Sequence, residues 1–173
     1  MAIGSIKSSK GREIIIGCAP EAGPATGSYN RFSMLPATET RLRVRYAETD
    51  QMGVVYYANH FVWMEVGRVD LCKACGFNYR DMERDDGIFL AVAEANCRYK
   101  WPARFDDEVI LKTWIEDANT RIVIFNYEMR TDDDRLLATG MTRHVYVTSE
   151  MQRTRLPRKY YTMFGIPHTE PCA

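Results

Sequence analysis

Asp50 is followed by Gly53, then by Tyr56, Tyr57, Asn59 and His60, within eleven residues of a 173-residue chain. A carboxylate can attack an activated carbonyl or take a proton from water. A glycine close behind it allows a positive φ, or a close approach of backbone to a ligand. Asn59 is a residue type that caps helices, and a helix start offers unpaired N–H groups and the positive end of a dipole. A carboxylate and such an N–H aimed at one carbonyl make an acyl-transfer or hydrolysis site. Each residue also has a plain role. An aspartate before a glycine forms turns, Tyr56 and Tyr57 suit a core with their hydroxyls at its rim, and His60 fits a packed first helical turn.

The flanking segments supply the elements that would hold these residues. Leu42, Val44 and Tyr46 alternate with Arg41, Arg43 and Arg45, the pattern of a half-exposed strand. Residues 59 to about 75 predict a helix, with Asn59 as N-cap and Gly76 as C′ residue. Phe61, Val62, Trp63, Met64, Val66, Val69, Leu71, Cys72 and Ala74 run almost all round it, which predicts burial on most sides. Glu65 and Arg68, at i,i+3, are expected to neutralise one another.

A loop or short helix at 78–86 precedes four strand-like runs, at 89–101, 108–116, 121–130 and 135–148. Residues 117–120 and 131–134 read as hairpin turns. The layout is α+β, an antiparallel sheet of about five strands around one long central helix. Residues 1–38, rich in glycine and proline, read as a flexible extension, with Met34 an alternative start. The domain spans 39–157, and 158–173 read as a tail.

Lys+Arg and Asp+Glu both total 23, so no net field favours nucleic acid. The longest uncharged run, residues 51–64, is 14 residues, short of the roughly 20 apolar residues that span a bilayer. The apolar stretch before Cys18 is too short for a secretory signal. Five cysteines form no regular framework, and their odd number suits reduced thiols in a cytoplasm. Cys72 and Cys75 match C-x-x-C without a second ligand pair, so no metal site is expected; they read as small side chains one helical turn apart.

The run Asp50-Gln51-Met52-Gly53-Val54-Val55-Tyr56-Tyr57-Ala58-Asn59 resembles the hotdog-fold acyl-CoA thioesterases, specifically the 4-hydroxybenzoyl-CoA thioesterase family. Supporting matches, in order, are Trp63-Met64-Glu65-Val66-Gly67-Arg68, the stretch 99–107, and Ala138-Thr139-Gly140-Met141-Thr142-Arg143-His144. The resemblance covers residues 40–157. It implies that Asp50 is the catalytic carboxylate, as nucleophile or general base, and that the Tyr57 backbone N–H polarises the thioester carbonyl. Gly53, Val55, Tyr56, Asn59 and His60 are then the expected substrate contacts. Arg121, Arg153 and Arg155 match positions that contact the coenzyme A nucleotide, although the 118–119 turn is less basic than in that enzyme. The resemblance further implies a homodimer or homotetramer, and no cofactor beyond the coenzyme A of the substrate. Two alternatives remain open. A hotdog dehydratase or hydratase needs a histidine–acid pair, where this chain has Val54 and Val55; a non-catalytic acyl-thioester binding module would not need Asp50.

Overall fold

A computed structural model describes residues 37–168. The extension expected at 1–38 lies almost wholly outside the described residues. Five strands form one antiparallel sheet: β1 (Thr38–Arg43), β2 (Phe89–Tyr99), β3 (Glu108–Ala118), β4 (Ile122–Thr131) and β5 (Leu136–Val147). Their spatial order is β1-β3-β4-β5-β2, so the chain crosses the whole sheet between β1 and β2. The crossing segment holds α1 (Asn59–Ala74) and α2 (Tyr79–Asp86). α1 packs across the inner sheet face.

Period-two burial explains the sheet. Val109, Leu111, Thr113 and Ile115 of β3, and Val123, Phe125, Tyr127 and Met129 of β4, are all buried. Every second side chain thus meets α1 or its neighbours, each large apolar one contributing roughly 1.5–3 kcal/mol by leaving water. α1 comes close because its contact positions are small: a Cβ on Gly67 would lie 2.4 Å from Thr113 Oγ1 and 2.7 Å from Leu111 Cδ2. The end of α1 follows the sequence reading. Gly76, at φ +87°, donates to Lys73 O, and Phe77 N–H donates to Cys72 O, which closes the last turn.

Several local expectations are corrected. The alternation of the first strand stops at Val44, because Tyr46 begins a 3-10 turn (Tyr46–Glu48) and is exposed. α1 is covered on one face only: Val62 and Val66 are 49% and 37% exposed in the single chain. Arg68 pairs with no carboxylate among the described residues, and instead turns beside Tyr79 and Tyr127. Core packing there overrides the helical i,i+3 preference. Beyond Pro157, Tyr160 and Phe164 are buried against Phe77 and Ile166 is buried as well, so residues 158–166 of the expected tail pack on the core.

Candidate active site

The Asp50 turn is built from local hydrogen bonds. Gly53 N–H donates to Asp50 O at 2.9 Å, and Asp50 N–H to Val54 O at 2.9 Å. Met52 N–H donates to Asp50 Oδ1 at 2.8 Å. The turn former and the proposed catalyst are therefore the same carboxylate, with Oδ1 engaged and Oδ2 without a partner among the described residues. Gly53 carries φ +72°, the left-handed conformation that its lack of a Cβ permits. The loop is then pinned to the stretch after β2, where Val55 N–H donates to Ala103 O at 2.8 Å.

The next four residues set the helix start. Tyr56 N–H donates to Glu48 O at 2.8 Å, and Tyr56 O accepts from Asn59 N–H at 3.0 Å. In a planar trans peptide C=O and N–H point oppositely. Because Tyr56 O faces the helix, the N–H of the same peptide, that of Tyr57, faces away from it. That N–H has no partner among the described residues. Ala58 occupies the N-cap and Asn59 is the first helical residue, which corrects the capping role expected of Asn59. Its side-chain amide instead donates to Glu48 O at 2.8 Å.

Asp50, Val55, Tyr56, Tyr57 and His60 line one cavity of about 480 Å³, together with Tyr99, Trp101, Pro102 and Ala103. Gly53 and Asn59, expected among the substrate contacts, do not line it. His60 is buried, its Nδ1 3.2 Å from Tyr57 O and its ring edge-on to Tyr99. Burial pushes the imidazole below its ordinary range, which favours the neutral form, against a smaller opposing effect of the Tyr57 carbonyl. His144 is wholly buried in β5, with Nε2 2.9 Å from Thr142 Oγ1 and no place in the cavity.

The three arginines divide. Arg121 and Arg155 line a second cavity of about 600 Å³ together with Arg158, and Arg153 does not. The register puts that cavity at the other end of the sheet. Tyr99 pairs with Ala138, whereas Ala91 pairs with Val145 and Val145 with Ile122, the residue after Arg121. Eight residues of β2 separate the two levels, about 25 Å along the strand. Within one chain, the arginines and Asp50 are not brought together.

Residues the sequence reading passed over complete the site. Tyr99 donates its hydroxyl to Tyr57 O at 3.1 Å. Tyr99 and Trp101 belong to the stretch 99–107, visible beforehand only as a motif match. Glu48 is buried beneath the turn, and nothing in the Ala47-Glu48-Thr49 run distinguishes it from a surface glutamate.

Comparison with known proteins agrees with this geometry. The family model described as "Thioesterase-like superfamily" matches residues 44–161. The Bacillus subtilis protein YneP, named provisionally as an acyl-CoA thioesterase, is 41% identical over 113 residues, covering 65% of this chain and 81% of its own. The DHNA-CoA thioesterase of Staphylococcus aureus superposes with a TM-score of 0.71 at 32% identity, over 74% of this chain and 88% of that one. A 4-hydroxybenzoyl-CoA thioesterase, at 15% identity and a TM-score of 0.68 over 73% of this chain and 97% of that one, shares the fold. With the strand order, the helix and the matched residues in agreement, the chain belongs to the thioesterase-like superfamily, as a hotdog-fold acyl-CoA thioesterase.

Proposed function

We propose that this thioesterase hydrolyses an acyl-CoA thioester with Asp50 as its catalytic carboxylate and the Tyr57 N–H as oxyanion donor. The observation that carries the reading is that Asp50 and Tyr57 line one cavity at the start of α1, with the Tyr57 N–H turned away from the helix and without a partner among the described residues. Two routes balance chemically. In one, an Asp50 oxygen attacks the thioester carbon, the C–S bond breaks, CoA leaves as thiolate and takes up a proton, and water then cleaves the mixed anhydride. In the other, Asp50 takes a proton from water as that water attacks the thioester carbon. The C–S bond then breaks, and CoA leaves as thiolate and takes up the proton from Asp50. Both pass through an oxyanion, which a fixed N–H and the helix dipole stabilise by roughly 3–4 kcal/mol per donor. A thioester is already a reactive acyl donor, so the reading asks for no cofactor beyond the coenzyme A of the substrate.

The free edge of β2 supports a homodimer. Its outer N–H and C=O groups meet no other strand among the described residues, and Val92 is 58% exposed on it. Antiparallel pairing of two such edges would reverse one sheet against the other. The partner's Arg121, the partner's Arg155 and the partner's Arg158 would then approach the Asp50 end. Guanidinium groups suit phosphates, and among the described residues no carboxylate lines that cavity. This reading replaces Arg153 by Arg158 as the third anchor and reserves the cavity for the nucleotide. No described helix is long and apolar enough to cross a membrane; a reducing cytoplasm suits the free Cys72, Cys75 and Cys97.

The test is an assay with a thiol-reactive dye across benzoyl, phenylacetyl, short and long fatty CoA esters. Asp50→Ala is expected to lower kcat by about 10²–10⁴-fold with the fold intact; near-normal turnover ends the proposal. Single turnover in oxygen-18 water separates the routes, since label enters Asp50 only by direct attack.

A further inference from the structure

We infer that Glu48 is the positioning residue of the site: its buried carboxylate anchors it, and its carbonyl holds the Tyr56 N–H and the Asn59 side chain on either side of the Tyr57 N–H. Glu48 is 5% exposed. Its Oε2 accepts from Arg45 N–H at 2.8 Å, and its Oε1 from Arg45 Nη2 at 2.8 Å and from the Trp63 indole at 3.1 Å. Its own carbonyl then accepts from Tyr56 N–H and from the Asn59 side chain, both at 2.8 Å. Tyr56 and Asn59 bracket the Tyr57–Ala58 step in the chain. One residue therefore ties the segment just after β1, the second turn of α1 and the turn carrying the proposed oxyanion donor.

A merely structural residue would be cheaper as an apolar one. An ionised carboxylate taken out of water costs several kcal/mol unless its oxygens are fully paired. Here three donors meet the carboxylate, and the amide of Asn59 is diverted from helix capping to the carbonyl. Burial pushes the Glu48 carboxyl up, but the Arg45 and Trp63 hydrogen bonds outweigh it and hold the group below its ordinary range. Displacing a reacting group's support by about 1 Å can cost a hundredfold in rate.

The inference rests on the hydrolase reading, and its test separates the two. Glu48→Gln keeps the volume and an acceptor for Trp63 while giving up the charge that holds Arg45. The expected result is a fall in kcat of about ten- to a hundredfold with KM held within about twofold. Amide hydrogen exchange should quicken at 49–58 and stay unchanged in β4. Trp63→Phe, which removes a donor from the helix side, should reproduce the pattern and covers the case in which Glu48→Gln does not fold. The double variant should lose no more than the weaker single. Normal kcat in the folded variants overturns the inference. So does a raised KM at unchanged kcat, which marks a substrate contact, or a uniform rise in exchange, which marks general loosening. A wild-type protein that releases no thiol from any ester strikes the hydrolase reading instead, and exchange at 49–58 then decides the role of Glu48 alone.

Discussion

Asp50 and Gly53 make a turn whose chemistry is written in residue types: an aspartate oxygen for a nearby N–H, and a glycine where φ must be positive. Gly53→Ala would hold an L residue in the left-handed region at a cost of about 1–2 kcal/mol. A Cβ there meets only Arg104 Nη1, at 3.8 Å, so the penalty is conformational rather than steric. The expected outcome is a thermal midpoint lowered by about 2–8 °C, with kcat reduced because the Asp50 carboxylate shifts with the turn. Scanning calorimetry and steady-state rates check both. His60 shows the limit of reading single residues. Its place in the cavity wall and its bond to Tyr57 O follow from the helix start, which sequence locates no better than a residue or two.

At the scale of elements, α1 and the strand it crosses are fitted through Gly67. Gly→Ala inside a helix ordinarily stabilises by up to about 1 kcal/mol. Here the added Cβ would lie 2.4 Å from Thr113 Oγ1 and 2.7 Å from Leu111 Cδ2, neither of them the end of a long flexible chain. Overpacking wins, and Gly67→Ala is expected to cost about 1–3 kcal/mol, read from the urea midpoint. β5 carries a pH dependence. Burial, with a smaller repulsion from Arg68, lowers the His144 pKa to about 4. The unfolded chain takes up that proton near pH 6.5, so the unfolded state binds more protons between 6.5 and about 4 and stability falls as pH drops through that window. His144→Asn should flatten this part of the stability–pH curve, and the His144 ring resonance should not titrate between pH 7.5 and 5.5.

At the scale of the whole molecule, the sheet register separates the two functions of the proposed site. Asp50 lines a cavity at the Tyr99 end, and the arginines line one at the Ile122 end. If two copies complete each other's sites, light scattering gives about twice 20.0 kDa. An Asp50→Ala chain and a chain with Arg121, Arg155 and Arg158 all changed to Ala should then each be impaired alone. Refolded together in equal amounts, they should recover about a quarter of wild-type activity: half the dimers are mixed, and each mixed dimer holds one complete site. No recovery from two individually folded variants would place the arginines outside the shared site.

By itself, the sequence determined the elements and the turn that carries Asp50. Period-two burial in β3 and β4, the glycine-ended helix and the Asp50–Gly53 spacing are local signals, set by neighbours within a few residues. The tertiary structure alone decided what those elements meet. It turned Arg68 inward, drew Asn59 from the cap to Glu48 O, packed Tyr160 and Phe164 on Phe77, and sent Arg121 to the far end of the sheet. Each of those outcomes depends on residues distant in the chain, whose approach is fixed by strand order and register. No local pattern encodes it.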